Sequence, residues 1–149
     1  VAVTTAEQRA SYPLAAYNFR VFVGARMVSF AKVSGLSVEY KAVTYQHGLS
    51  FFEGEDLAKF AVDKFSEVTL ERGVLPHDST AAILEWLADR SPRVVEVHLC
   101  DAAGASVLVW RLARAYVVKL TAPTLDARSN DVAIETLTLK AAGITLAPP

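Results

Sequence analysis

The stretch Ser129-Asn130-Asp131-Val132-Ala133-Ile134-Glu135-Thr136-Leu137-Thr138-Leu139 reads as a polar turn that opens directly into a strand. Turn-forming side chains followed by alternating β-branched and polar residues mark a strand start. Glu135 sits in the middle of that strand over Asp131–Leu139. A carboxylate there must face water, meet a partner, or sit at a contact with another chain.

Working outward, the same period of two recurs along most of the chain. Tyr17, Phe19, Val21 and Val23 alternate with Asn18, Arg20 and Phe22 and end at Gly24-Ala25. A second strand is expected over Met27–Val33, then a turn or bulge at Ser34-Gly35. A long strand over Leu36–Tyr45 is expected next, with Val38 and Tyr40 on its buried face and Glu39 and Lys41 opposite. Further strands are read at Phe65–Arg72, Arg93–Asp101 and Ser106–Leu120, with a final edge at Ile144-Thr145-Leu146. Ala102-Ala103-Gly104 is a turn, and Thr121–Asn130 a long loop through Pro123.

Two helical segments stand out. Ser79–Asp89 carries a cap at Asp78 or Ser79, and Ile83, Leu84 and Leu87 with Trp86 beside them form its apolar stripe. Within 46–64, Leu57, Phe60, Ala61 and Lys64 repeat at helical spacing, and Glu55 and Lys59 form an i,i+4 pair. A short helix inside a long connection is expected there. The sum is a mainly β (α+β) fold, an antiparallel β-barrel or sandwich with one flanking α-helix. It divides into a flexible arm over 1–11 and a single domain over 12–149.

Composition narrows the function. At 149 residues the chain makes one domain with a sizeable core. Hydrophobic residues make up 52% of it, an excess that fits either apolar surface left for partners or a rich core. Net charge is −1, so no basic field favours nucleic acid or anionic lipid. The single cysteine, Cys100, excludes an internal disulfide and fits a reducing compartment. Val1-Ala2-Val3-Thr4-Thr5 has neither a basic region nor a long apolar run, so no targeting segment, membrane span or membrane insertion is expected.

A search for chemistry finds no active-site constellation. His77-Asp78 precedes the helix, where Asp78 serves as a cap and no nucleophile motif accompanies it. His98 and Cys100 share a strand face, yet no further ligands complete a structural zinc site. Glu53-Gly54-Glu55-Asp56 lacks the spacing of a calcium loop. Asp126, Asp131 and Glu135 supply carboxylates without a defined cleft, and the seven glycines form no phosphate-binding string. The expectation is a non-enzymatic structural or binding protein with no cofactor and no metal.

The landmarks also form an ordered pattern. Tyr12-Pro13, Phe19-x-Val21, Phe30-x-x-Val33-Ser34-Gly35-Leu36, Leu70-x-Arg72-Gly73 and Trp86 come first. Trp110, Ala115, Pro123 and Ser129-Asn130-x-Val132-Ala133-Ile134-Glu135 complete the series. This resembles the contractile phage tail tube protein family, including the inner tube proteins of extracellular phage-tail-like contractile injection systems. The resemblance implies a virion-type structural protein that self-assembles as stacked hexameric rings around a lumen. It implies sheath, baseplate or hub and cap proteins as partners, and cargo or DNA in the lumen. Synthesis in the cytoplasm, followed by assembly into a tail or a released tail-like particle, would follow.

Segment 51–65 departs from the family's polar loop with a Pro-Gly step, being aromatic and acidic. That departure makes a tube-initiator or baseplate adaptor the alternative role. A small β-barrel ligand-binding protein is the alternative from another class. Candidate subunit-contact residues are Phe51, Phe52, Glu53, Glu55, Asp56 and Phe60, together with Ser129, Asn130, Asp131 and Glu135. The competing expectation for Phe51, Phe52, Phe60 and Phe65 is that they cap their own barrel.

Overall fold

The computed structural model describes residues 2, 4–7, 12–45, 56–61, 65–74 and 80–149. Alternating sequences there form nine strands: β1 (Phe19–Val23), β2 (Arg26–Val28), β3 (Lys32–Ser34), β4 (Tyr40–Tyr45), β5 (Asp56–Ala61), β6 (Ser66–Gly73), β7 (Arg93–Cys100), β8 (Ser106–Thr121) and β9 (Ile134–Ala147). One helix, α1 (Thr80–Ala88), lies between β6 and β7. Seven strands make an antiparallel sheet in the order β2-β1-β7-β8-β9-β6-β3, and β4 and β5 pair separately as a two-stranded ribbon.

The sheet must roll up. Its two edge strands, β2 and β3, are joined only by residues 29–31. From Val28 to Lys32 the chain can span at most roughly 14 Å. Seven flat strands about 4.8 Å apart would hold those edges roughly 29 Å from each other. Curling the sheet on itself reconciles the two distances and gives the expected barrel-like architecture.

Inside the roll, every second residue is buried. Val21, Val68, Leu70, Val95, Val97, Leu112, Ala115, Leu137 and Leu139 form one cluster with Ile83 and Trp86 of α1. The alternation seen in sequence is therefore the inside–outside period of the strands.

Several expected boundaries move. The single strand Met27–Val33 is two, because β2 completes the β1 hairpin while β3 crosses to β6. Ala31 N–H bonds the Glu71 carbonyl at 2.7 Å between them. The long strand from Leu36 begins only at Tyr40; Leu36 packs on the core, but Val38 and Tyr40 are exposed. Gly35, at φ 87°, passes so close to β6 that a Cβ there would lie 2.4 Å from the Glu67 carbonyl oxygen. That approach redirects the chain and ends β3.

The short helix expected around Leu57–Lys64 is not formed over Asp56–Ala61, which is β5. Leu57 faces Thr44, Lys59 faces Ala42 and Phe60 faces Lys41 across the ladder to β4. Cross-strand pairing overrides the helical spacing. Leu84 and Leu87, placed in the apolar stripe of α1, are exposed, whereas Ala82, Ile83 and Trp86 are buried. The helix is apolar on two adjacent faces, and the largest side chain, Trp86, sets which one turns inward.

The start of β9 also shifts. Asp131–Ala133 stays in the loop, with Ala133 carbonyl accepting Val74 N–H at 2.9 Å. The edge expected at Ile144–Leu146 is the far half of β9, paired with Leu112–Trp110 of β8. Gly143, at φ 68° and opposite Ala113, lets β9 bend without ending. Within the segment expected to be a loose arm, residues 5–7 are helical. Thr4 N–H and Oγ1–H donate to Glu7 Oε2 at 2.7 and 2.8 Å, and Glu7 N–H donates to Thr4 Oγ1 at 3.2 Å. This is a capping box.

Candidate subunit-contact surfaces

Glu135 meets its counter-charge inside the subunit. It is the register partner of Arg72 on β6, and the Arg72 Nε–H donates to Glu135 Oε1. Arg72 is the one buried charged residue among those described, at 4% exposure. Sequence reasoning posed the right question of Glu135 but left Arg72 unnamed as the answer. The signal available was position: Arg72 ends a strand whose alternate residues, Val68 and Leu70, are core.

Ser129, Asn130 and Asp131 lie on the exposed loop 122–133 between β8 and β9. Local bonds fix the loop's shape. Asp126 Oδ1 accepts Arg128 N–H at 3.0 Å, Asp126 carbonyl accepts Ser129 N–H at 3.0 Å, and Ser129 Oγ accepts Asp131 N–H at 3.1 Å. The loop displays Leu125 and Val132 at 84% and 75% exposure. Neither apolar side chain was among the contact candidates read from the sequence.

Asp56 and Phe60 lie on β5 of the separate ribbon. Phe51, Phe52, Glu53 and Glu55 lie outside the described residues, as do His47, His77, Asp78 and Ser79. Phe65 is half exposed just before β6, not in the core. Its ring sits 6.0 Å from Tyr116, with the Arg114 guanidinium 5.9 Å over its face.

At the opposite end of β8, residues 12–18 and the β7–β8 turn enclose an open groove of about 870 Å³. Tyr12, Leu14, Tyr17, Ala103 and Val107 line it, and Tyr17 is 87% exposed. Its floor is tied down: Asn18 Nδ2–H donates to the Asp101 carbonyl, and Cys100 N–H donates to the Asn18 carbonyl at 2.8 Å. Asp101 Oδ1 accepts Ala103 and Ala105 N–H, both at 2.9 Å, which fixes the turn.

The outward side of β3, β6, β9 and β8 is of another character. Register sets Ser34, Thr69, Thr138 and Lys119 in one row and Lys32, Glu71, Thr136 and Thr121 in the next. Glu67, Lys140 and Tyr116 follow, with Lys140 Nζ 3.1 Å from Glu67 Oε2. This face is polar.

Two of the three carboxylates considered for chemistry hold structure. Asp126 caps its own turn, Asp131 is exposed, and Glu135 is occupied by Arg72. His98 Nδ1 and Nε2 are taken by Ser106 Oγ at 2.9 Å and Glu96 Oε2 at 3.0 Å, while Cys100 is buried with its Sγ on the His98 carbonyl. Among the described residues no group of three or more His, Cys, Asp or Glu side chains converges, and no helix is long and apolar enough to cross a membrane.

Comparisons with known proteins agree with this geometry. The family profile described as T4-like virus tail tube protein gp19 matches residues 15–145. A chain of the PVC sheath–tube complex, from an extracellular contractile injection system in its extended state, is 26% identical. The match covers 99% of this chain and 100% of that one, with a TM-score of 0.78. A chain of the anti-feeding prophage's tube-terminating cap is 26% identical over 100% and 95% of the two chains, with a TM-score of 0.74. A chain of the PVC sheath/tube terminator is 28% identical over 92% and 98%, with a TM-score of 0.71. No curated protein matches the sequence.

Proposed function

This chain belongs to the T4-like virus tail tube protein gp19 family, and from that premise we propose that it assembles as hexameric rings stacked into the inner tube of a contractile injection system. It is a structural tube subunit; its action is to build a conduit, with no reaction catalysed. The correspondence over both full lengths with a chain of a sheath–tube complex carries the reading.

The surfaces supply a role for each part. The outward rows of hydroxyls and charges on β3, β6, β9 and β8 suit a wet lumen wall, since protein interfaces are depleted of charge at their centres. The β4–β5 ribbon, with Asp56 and Phe60, is suited to reach a neighbouring subunit, because an isolated two-stranded ribbon is marginal in water. The loop with Ser129, Asn130 and Asp131 lies free for contact. Sheath, cap and baseplate proteins are the partners of the assembled tube, and cargo passes through the lumen.

Electron microscopy and gel filtration of the purified chain test this. Six-fold rings or tubes are expected; a strictly monomeric species at high concentration overturns the proposal. The match to a chain of the tube-terminating cap favours a tube-end subunit as the second reading. Rings that never elongate alone would select that role.

A further inference from the structure

We propose that the β8–β9 loop of one copy seats its Leu125 and Val132 in the groove lined by Tyr12, Tyr17 and Val107 of the next copy. The inference rests on the tube reading and names the contact that joins successive rings.

Both halves of the contact are preformed. The loop is held by its own backbone bonds and by Ala133 to Val74, so its two apolar side chains are presented at little conformational cost. The groove's floor is fixed through Asn18 and Asp101. Exposed apolar residues on one side therefore meet an apolar hollow on the other, and the polar rows between them stay out of the contact.

Position decides the occupant. The groove adjoins the start of β8 at Val107, and the loop leaves its end at Thr121. The ladder confirms the polarity: Val109 pairs with Ala147 at the end of β9, while Thr121 pairs with Thr136 near its start. Sixteen extended residues cover up to roughly 50 Å. The loop and the groove of one chain stand at opposite ends of β8 and both are exposed, so a loop seated in the groove comes from a second copy. A knob at one end and a hollow at the other form a heterologous, head-to-tail contact. Such a contact closes into a ring or, where the rotation does not close, runs on as a filament, and the stacking of rings uses the second.

Site-directed cross-linking tests this. Val107→Cys and Leu125→Cys are both at exposed positions, and native Cys100 is buried, so the unmodified chain is the background. Mixed single variants treated with a short bismaleimide are expected to give V107C–L125C dimers, and the double variant a ladder of higher species on a denaturing gel. Each single variant alone is expected to stay uncross-linked. Tubes that form without a V107C–L125C product, or that cross-link L125C to itself, overturn the contact and leave the tube reading standing. Failure of the unmodified chain to assemble at all sinks the tube reading instead. As a second measure, Leu125→Asp with Val132→Asp should leave folded rings and abolish tubes; tubes of normal length would overturn the proposal.

Discussion

Arg72 and Glu135 stand directly opposite each other on β6 and β9, joined by the Arg72 Nε–H to Glu135 Oε1 bond, with side chains only 5% and 15% exposed. Removing one member of such a pair strands the other in a poorly solvated site, which typically costs about 3–5 kcal/mol. Glu135→Ala should lower the unfolding free energy by that amount, read as a lower urea midpoint with an unchanged m-value. Arg72→Met with Glu135→Leu should recover most of the loss, because the pair's attraction is offset by its desolvation. A stable Glu135→Ala subunit that fails to form rings would instead assign Glu135 to a contact between subunits.

Gly35 and Gly24 offer a matched comparison. Both have positive φ, 87° and 63°, but a Cβ at Gly35 meets the Glu67 carbonyl oxygen at 2.4 Å, while nothing lies within 4 Å at Gly24. Gly24→Ala carries only the backbone penalty, about 1–2 kcal/mol. Gly35→Ala adds displacement of β6 and should cost roughly 3 kcal/mol or more. Thermal unfolding separates them, at about 2–4 °C per kcal/mol for a chain of this size. Equal shifts would contradict the close approach.

Legibility followed the physics of each element. Strands β1, β6, β7 and β8 were readable because apolar side chains recur at every second position along most of each. Alternation of that kind is a local property. The split at residues 29–31 was not readable, since it depends on β2 and β3 finding different partners. Leu57 and Phe60 misled for the same reason: spacing of three suits a helix until a ladder to β4 claims the segment. Of the residues proposed for contact, Ser129, Asn130 and Asp131 stand out in the sequence as turn formers, while Leu125 and Val132 beside them were not among the candidates. A lone apolar residue in a loop carries no period, and its exposure is a tertiary fact.

Helix α1 has an inner and an outer apolar face. Trp86 is 1% exposed in the core, and Trp86→Ala should cost about 3–5 kcal/mol. Leu84 is 53% exposed, so Leu84→Ala should change the isolated subunit's stability by no more than about 0.5 kcal/mol. Chemical denaturation of both variants checks this. A large loss in Leu84→Ala would mean the helix is turned the other way, as its sequence stripe suggests.

Asp89 ties the end of α1 to β7, accepting Ser91 N–H at 3.0 Å and Arg93 Nε–H at 3.1 Å. The Ser91 backbone bond and then Arg93 hold its carboxyl below the ordinary aspartate value. A depressed folded-state value means the contribution is full above the unfolded aspartate pKa, about 3.9. It is lost as pH falls through the lower folded value. Asp89→Asn should therefore be less stable than the parent at pH 7. The difference should shrink as acid protonates the native carboxyl, and urea midpoints across that range would show it. A gap that widens on acidification would reverse the sign and place the carboxyl above its ordinary value, which two hydrogen bonds to the charged form do not allow.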